Sequence, residues 1–245
     1  MLQEQYGEYS KTGFSDTASP RILLGGRSFL PDKTGALFWP SENTLIVADP
    51  FLSRPCYLTG EDVALPPYDT ATAYEKLEEV IDRHDPGRVI VLGSCFGSGD
   101  ENCLTRTQRD WLLDMMDGRD WYWVPHQSEM AVARALGGTA VPHVVLGGIK
   151  FRAAPLPASV NHEIAGGMHP IATLERYGHA MRGRCFVSNS MRLVLPSIGN
   201  YSLGSNVLSE ALHPLLGSNG MFVWMLHEER VEFIAPALLT NAFLG

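Results

Sequence analysis

In the first half of the chain, short apolar runs alternate with longer segments of helical spacing. Leu45-Ile46-Val47-Ala48 runs into Asp49-Pro50-Phe51, which predicts a buried strand ending at a loop. Before it, Ala36-Leu37-Phe38-Trp39-Pro40 turns through Ser41-Glu42-Asn43, the pattern of a hairpin. Ala73, Leu77, Val80 and Ile81 recur at helical spacing between Thr70 and His84, and Asp85-Pro86-Gly87 stops that helix. Arg88 to Gly93 is a second strand, Thr105 to Met116 a second helix ended by Gly118, Asp120 to Pro125 a third strand, and Ser128 to Leu136 a short helix stopped by Gly137-Gly138. This order predicts parallel pairing with right-handed crossovers. It brings together three strand ends, Ala48-Asp49, Leu92-Gly93-Ser94 and Val124-Pro125-His126, where α/β folds place their chemistry.

The second half changes character. Val141 to Phe151, Cys185 to Leu195, Met221 to Trp224 and Val231 to Ile234 read as strands linked by turns. Glu175 to Ala180 reads as a loop or one helical turn. The expectation is a second sheet packed on the first, with no proline- or serine-rich linker between independent domains. Residues 22–245 are expected to form one domain, preceded by a polar arm, residues 1–21, that orders on a partner.

Composition narrows the picture. With 245 residues, 45% of them hydrophobic, the chain can bury a sizeable core. No apolar run approaches the ~18 residues of a membrane span, and the first 21 residues lack the apolar stretch of a secretory signal. The net charge of −8 argues against a nonspecific nucleic-acid binder, though a local basic patch stays open. Cys56, Cys95, Cys103 and Cys185 form no CxxC pair, so they read as thiols of a reducing cytoplasm.

The three strand ends, followed by Glu163-Ile164-Ala165-Gly166-Gly167-Met168-His169-Pro170, resemble the calcineurin-like metallophosphoesterases. That superfamily's motifs run DxH, GDxxH, GNH[DE], a later His, and GHxH. The segment 36–40 before the first motif, the Gly-x-x-His-Pro ending of the last, and Arg192 to Tyr201 after it are similar to the ligase-associated (PdeM-type) bacterial phosphoesterases. The likeness covers roughly residues 22–216. It implies a four-layer α/β/β/α sandwich of two mixed β-sheets flanked by helices. In active relatives it also implies two divalent metals at the strand ends, held by Asp, His and Asn and bridged by a carboxylate.

Matched residue by residue, most of that machinery is missing. Asp49 stands at the first Asp, but Phe51 replaces the His. Ser94 replaces the bridging carboxylate and Gly97 the His of the second motif. Pro125 replaces the Asn ligand, His126 keeps the catalytic His, and Gln127 replaces the acid beside it. Ala153 falls at the later His, Gly167 replaces the first His of the last motif, and His169 keeps the second. Only Asp49 and His169 retain a ligand type, and a hydroxyl at Ser94 cannot offset two dications. Phe51, Phe96 and Met168 are expected to fill the old cavity.

Several readings compete at single residues. Asp49 is a metal ligand or an acid capping loop amides. His126 and His169 are catalytic or structural remnants. Cys95 sits in a glycine-bearing loop that suits a nucleophile, yet Glu101 stands where a thiol phosphatase needs Arg. Trp121, Tyr122 and Trp123 stack bases or pack both faces of a strand. Glu75, Glu78, Glu79 and Asp82 form a solvated helix face.

The expectation is a catalytically silent protein without cofactor, serving as a subunit among other proteins. One alternative is a divergent phosphodiesterase or endonuclease holding a divalent metal such as Mn through Asp49, Asp100, His126, His143 and His169. His143 and His162 joining His169 around one ion is a variant of it. The other alternative is a nucleic-acid-binding module without catalysis.

Overall fold

The structure, a computed structural model, describes residues 20–53, 70–97, 99–100, 102–157, 161–176, 179–199, 204–216 and 220–241. Nearly all of the arm, and Cys56, Ser98, Glu101 and Asn200 to Leu203, lie outside the described residues. Two sheets stack face to face. The first runs in sequence order: β1 (Ile22–Leu24), β2 (Arg27–Pro31), β3 (Leu37–Trp39), β4 (Thr44–Ala48), β5 (Arg88–Gly93), β6 (Asp120–Pro125) and β7 (Thr139–Ala140). Neighbours are antiparallel as far as β4 and parallel from β4 to β7. Three crossover helices, α1 (Thr70–His84), α2 (Arg106–Met116) and α3 (Met130–Leu136), link the parallel strands.

The two-residue period of the central strands explains the layering. Leu45, Val47, Val89, Val91, Trp121 and Trp123 join the core that includes α1 to α3. Ile46, Ala48, Ile90, Leu92 and Val124 point the other way, into the core shared with the second sheet. The tryptophans are thus packing groups rather than a stacking platform for bases. The expected helices appear within a residue or two, and Thr105 with Gln108 caps α2 reciprocally.

The second sheet comprises β8 (His143–Leu146), β9 (Ile149–Arg152), β10 (Glu163–Ala165), β11 (Ile171–Arg176), β12 (His179–Ser188), β13 (Arg192–Val194), β14 (Phe222–Leu226) and β15 (Val231–Ile234). Its order is 15-14-12-13-10-9-8, with β11 paired to β12. Its outer face packs on Val207, Leu212 and Leu216, the last in the short helix α4 (His213–Leu216). The four layers are those of the calcineurin-like metallophosphoesterase sandwich.

Three segments differ from the sequence expectation. Val141 to Phe151 is a hairpin, because Gly147 and Gly148 take left-handed conformations between β8 and β9. Cys185 to Leu195 breaks where the Asn189 carboxamide accepts from the amides of Met191 and Arg192. Glu175 and Ala180 pair across the β11–β12 ladder rather than forming a loop or helical turn. Among the described residues no helix is long and apolar enough to cross a membrane.

Two buried acids anchor the frame. Glu163, at the start of β10, faces Arg192 at 2.7 Å and Arg152 at 3.1 Å. Asp32 ties the β2–β3 turn to the end of α1 through Arg83 and His84, and accepts from the Thr34 amide. Burial pushes the Asp32 carboxyl up, but the bonds from His84, Arg83 and Thr34 outweigh it and hold it well below the usual range. Its stabilisation is therefore full above the unfolded carboxylate value near ~4 and is lost as pH falls below it. We expect Asp32→Asn to cost about 2 kcal/mol at neutral pH and almost nothing below the folded pKa of Asp32. Urea titrations at the two extremes measure the difference.

Candidate functional site

The site lies where β4, β5 and β6 end together. Ala48 pairs with Leu92, Leu92 with Val124, and Gly93 with Pro125. Each strand then turns sharply. Asp49 and Phe51 take positive φ of 49° and 50°, and His169, arriving from β10, takes 45°. Left-handed backbone is uncommon outside glycine, above all for an aromatic residue, so tertiary contacts must hold it. Gly93 has no substitute here. A Cβ on it would lie 2.0 Å from Asp49 Oδ1.

Asp49 is fully buried, and its carboxylate is used on both sides. Oδ1 accepts from the Ser94 amide at 2.7 Å, and Oδ2 accepts from the Gly167 amide at 2.7 Å. His169 Nε2 stands 3.3 Å from Oδ2, and the Phe51 ring meets the His169 ring edge-on at 5.4 Å. The Asp49 backbone is fixed as well. Its amide donates to Leu92, and its carbonyl accepts from Ser197 Oγ at 2.7 Å. One carboxylate therefore clamps the loops that follow β5 and β10, in the capping role.

A second buried acid completes the arrangement. Glu129 Oε2 accepts from the amides of Cys95 and Phe96 at 2.8 and 3.1 Å, and Oε1 from Gly97 at 2.9 Å. Burial pushes its carboxyl up, while the amides of Phe96, Cys95 and Gly97 and the nearby His126 pull it back. Four successive amides, 94 to 97, are thus turned onto two internal carboxylates. A loop that could cradle a phosphate has its donors occupied by the protein itself. Sequence reasoning missed Glu129, which reads as a solvated acid opening a helix.

Cys95 sits in the same loop, fully buried. Burial, with Glu129 and Asp49 nearby, pushes its thiol well above the ordinary value, the wrong direction for a nucleophile. In a Cys56→Ser, Cys103→Ser variant, the buried Cys95 and Cys185 are expected to react with Ellman's reagent only as fast as the protein opens. Fast labelling of the native protein would contradict the placement.

The remaining expected positions divide cleanly. His126 donates its amide to Gly93 and accepts from the Glu129 amide. Pro125 is buried beside Gly93, and Gln127 is exposed. Ala153 lies beside Gly167, its carbonyl 2.8 Å from where a Gly167 Cβ would stand. Other candidates go elsewhere. Asp100 is exposed and caps its own turn. His143 is exposed on β8, and His162 lies against Gly25 in the β1–β2 turn.

The expected apolar plug is also corrected. Phe96 packs on Trp123 at 5.2 Å on the helix side, and Met168 packs on the outer face of the second sheet. Only Phe51 stands at the site. The metal pair that this fold implies does not fit these residues. Phe51, Ser94, Pro125, Ala153 and Gly167 bring no carboxylate or imidazole, and Asp49 is already committed to two amides. Among the described residues, no group of three or more His, Cys, Asp or Glu is placed to hold a metal ion.

The fold is that of the calcineurin-like metallophosphoesterase sandwich. The chain is similar to the crystal structure of the Pseudomonas putida nuclease MPE, with a TM-score of 0.68 and 18% identity over 89% of this chain and 100% of that one. No family model matches the chain, and no curated protein matches its sequence.

Proposed function

We propose that this chain is a metallophosphoesterase-fold protein that no longer hydrolyses phosphate esters and serves as a structural or binding subunit of a larger protein assembly in the cytoplasm. The observation that carries the reading is the clamp on Asp49: two backbone amides take the carboxylate that would otherwise face a metal. Asp49, His126 and His169 are then vestiges, and the ligands at 51, 94, 97, 125, 153 and 167 are lost. The PdeM-type resemblance and the nuclease neighbour supply the ancestry. The arm, residues 1–21, is the segment that docks on the partner.

The ancestry also favours one rival, a divergent metal-dependent nuclease. Assays of the full chain with manganese, on bis(p-nitrophenyl) phosphate and on single- and double-stranded DNA, separate the two. The expected result is no turnover above an Asp49→Asn control. Turnover that the substitution abolishes would support the nuclease. For the subunit role, full-length protein is expected to migrate in native extracts as part of a larger species and residues 22–245 alone as a monomer. Identical monomeric migration of both would refute it.

A further inference from the structure

A cavity of about 710 Å3 opens between α1, the β2–β3 turn and the β11, β12 and β14 strands. None of its described lining residues belongs to the strand-end site. Lys33 from the turn, Lys76 from α1, and Arg182 and Arg184 from β12 converge on it. The chain as a whole carries −8, so four cations on one concave wall run against its overall balance. Among the described lining residues the acids are Glu79 and Glu228. Glu79 is engaged by Arg83, and Lys33 is paired with Glu229 at 3.5 Å, so the wall's cationic core is Lys76, Arg182 and Arg184.

The wall is also built rather than merely charged. Arg184 Nη1 donates to the carbonyls of Ser197 and Gly199, both at 2.6 Å, which holds its guanidinium in place at the back. Burial, and then the Arg184 charge, push the Lys76 ammonium down to about 8 against the opposing pull of Glu79. Two cations held close in a partly desolvated wall make the space between them favourable to an anion. Ile171, Leu226 and Thr34 supply the less polar part of the lining. The volume falls in the range of small-molecule sites, ~300–1,000 Å3.

We propose that this cavity binds a small molecule carrying at least two phosphate groups, of the size of a nucleoside diphosphate, with Lys76 and Arg182 meeting the phosphates against the fixed Arg184. Charges spread over three elements suit a diphosphate better than a single carboxylate. Their gathering in a pocket, rather than along a stripe, favours a compact ligand over a polymer. The site does not depend on whether the strand-end cleft hydrolyses anything.

Calorimetry of the full chain with ADP and with pyrophosphate at low salt tests the proposal. Binding is expected, weakened at least about ten-fold in a Lys76→Gln, Arg182→Gln variant. The exposed Arg182→Gln alone serves if the double variant does not fold. Lys76 is faced by Lys33, Glu79, Arg182, Arg184, His227 and Glu228, so its own share is read from pH. Wild-type affinity is expected to fall as pH rises through about 8, and Lys76→Gln to lose that dependence. The proposal is overturned by no binding of either probe up to about 1 mM. Equal affinity in the variants, or tighter binding of a short single-stranded DNA through the same two residues, would overturn it as well.

Discussion

Asp49→Ala is expected to lower the unfolding free energy by about 4 kcal/mol, and Asp49→Asn by about 2 kcal/mol. The alanine variant leaves the amides of Ser94 and Gly167 buried without an acceptor, and each such loss costs about 1–3 kcal/mol. It also forces alanine into a left-handed backbone, which costs roughly 1 kcal/mol more. Asparagine tolerates that backbone, so Asp49→Asn isolates the carboxylate. It keeps one acceptor but turns an NH2 against the other amide.

The sign is what discriminates. In a binuclear metal site, the ligating acids repel one another when metal is absent, so neutralising one of them in chelator is harmless or stabilising. Here Asp49 is the only acid among the expected ligand positions, and its charge is held by N–H groups. Urea unfolding in the presence of EDTA measures the cost. An Asp49→Asn protein as stable as the wild type would remove the clamp from the account.

Glu129→Ala is expected to cost about 3 kcal/mol, because three consecutive amides lose their acceptor together. Glu129 behaves opposite to Asp32 with pH. Burial raises its folded pKa, so its contribution is full below the unfolded value near ~4.3 and declines as pH rises through the folded one. Glu129→Gln should abolish that decline while keeping part of the cap. Stability against pH, from chemical unfolding of wild type and both variants, reads the two effects separately. A Glu129→Ala protein that loses nothing would show that the 94–97 loop holds itself.

The first sheet was legible because its signals are local. Apolar runs, helical spacing and the stops at Asp85-Pro86-Gly87 and Gly118 all act within one element. They placed β4, α1, β5, α2 and β6 and brought the three strand ends together. The second sheet joins antiparallel hairpins to the short β10, which pairs parallel to both β9 and β13. Its order is set by a few turn residues and by pairings distant in sequence. Gly147-Gly148 and Asn189 read as ordinary loop residues until their partners are known. β10 has too few residues, and β11 too mixed a pattern, to announce themselves.

Which side chains stand at the strand ends was legible in the sequence; what the backbone around them does was not. Phe51, Ser94, Pro125, Ala153 and Gly167 could be read off directly as side chains without a carboxylate or imidazole. They could not reveal that the Asp49 carboxylate accepts from backbone amides, since every residue but proline has one. Glu129 stayed hidden because an acid opening a helix is usually solvated. Phe96 and Met168 misled because their type suggests filling, whereas the direction of each side chain, set by the strand and turn before it, points elsewhere.

The central claim is that the Asp49 carboxylate is satisfied by the chain itself. Full-length protein should therefore be incubated with excess manganese, desalted, and its metal counted by mass spectrometry. The account predicts far less than one ion per chain and no rise in melting temperature with manganese. Two ions per chain, lost on Asp49→Asn, would contradict it.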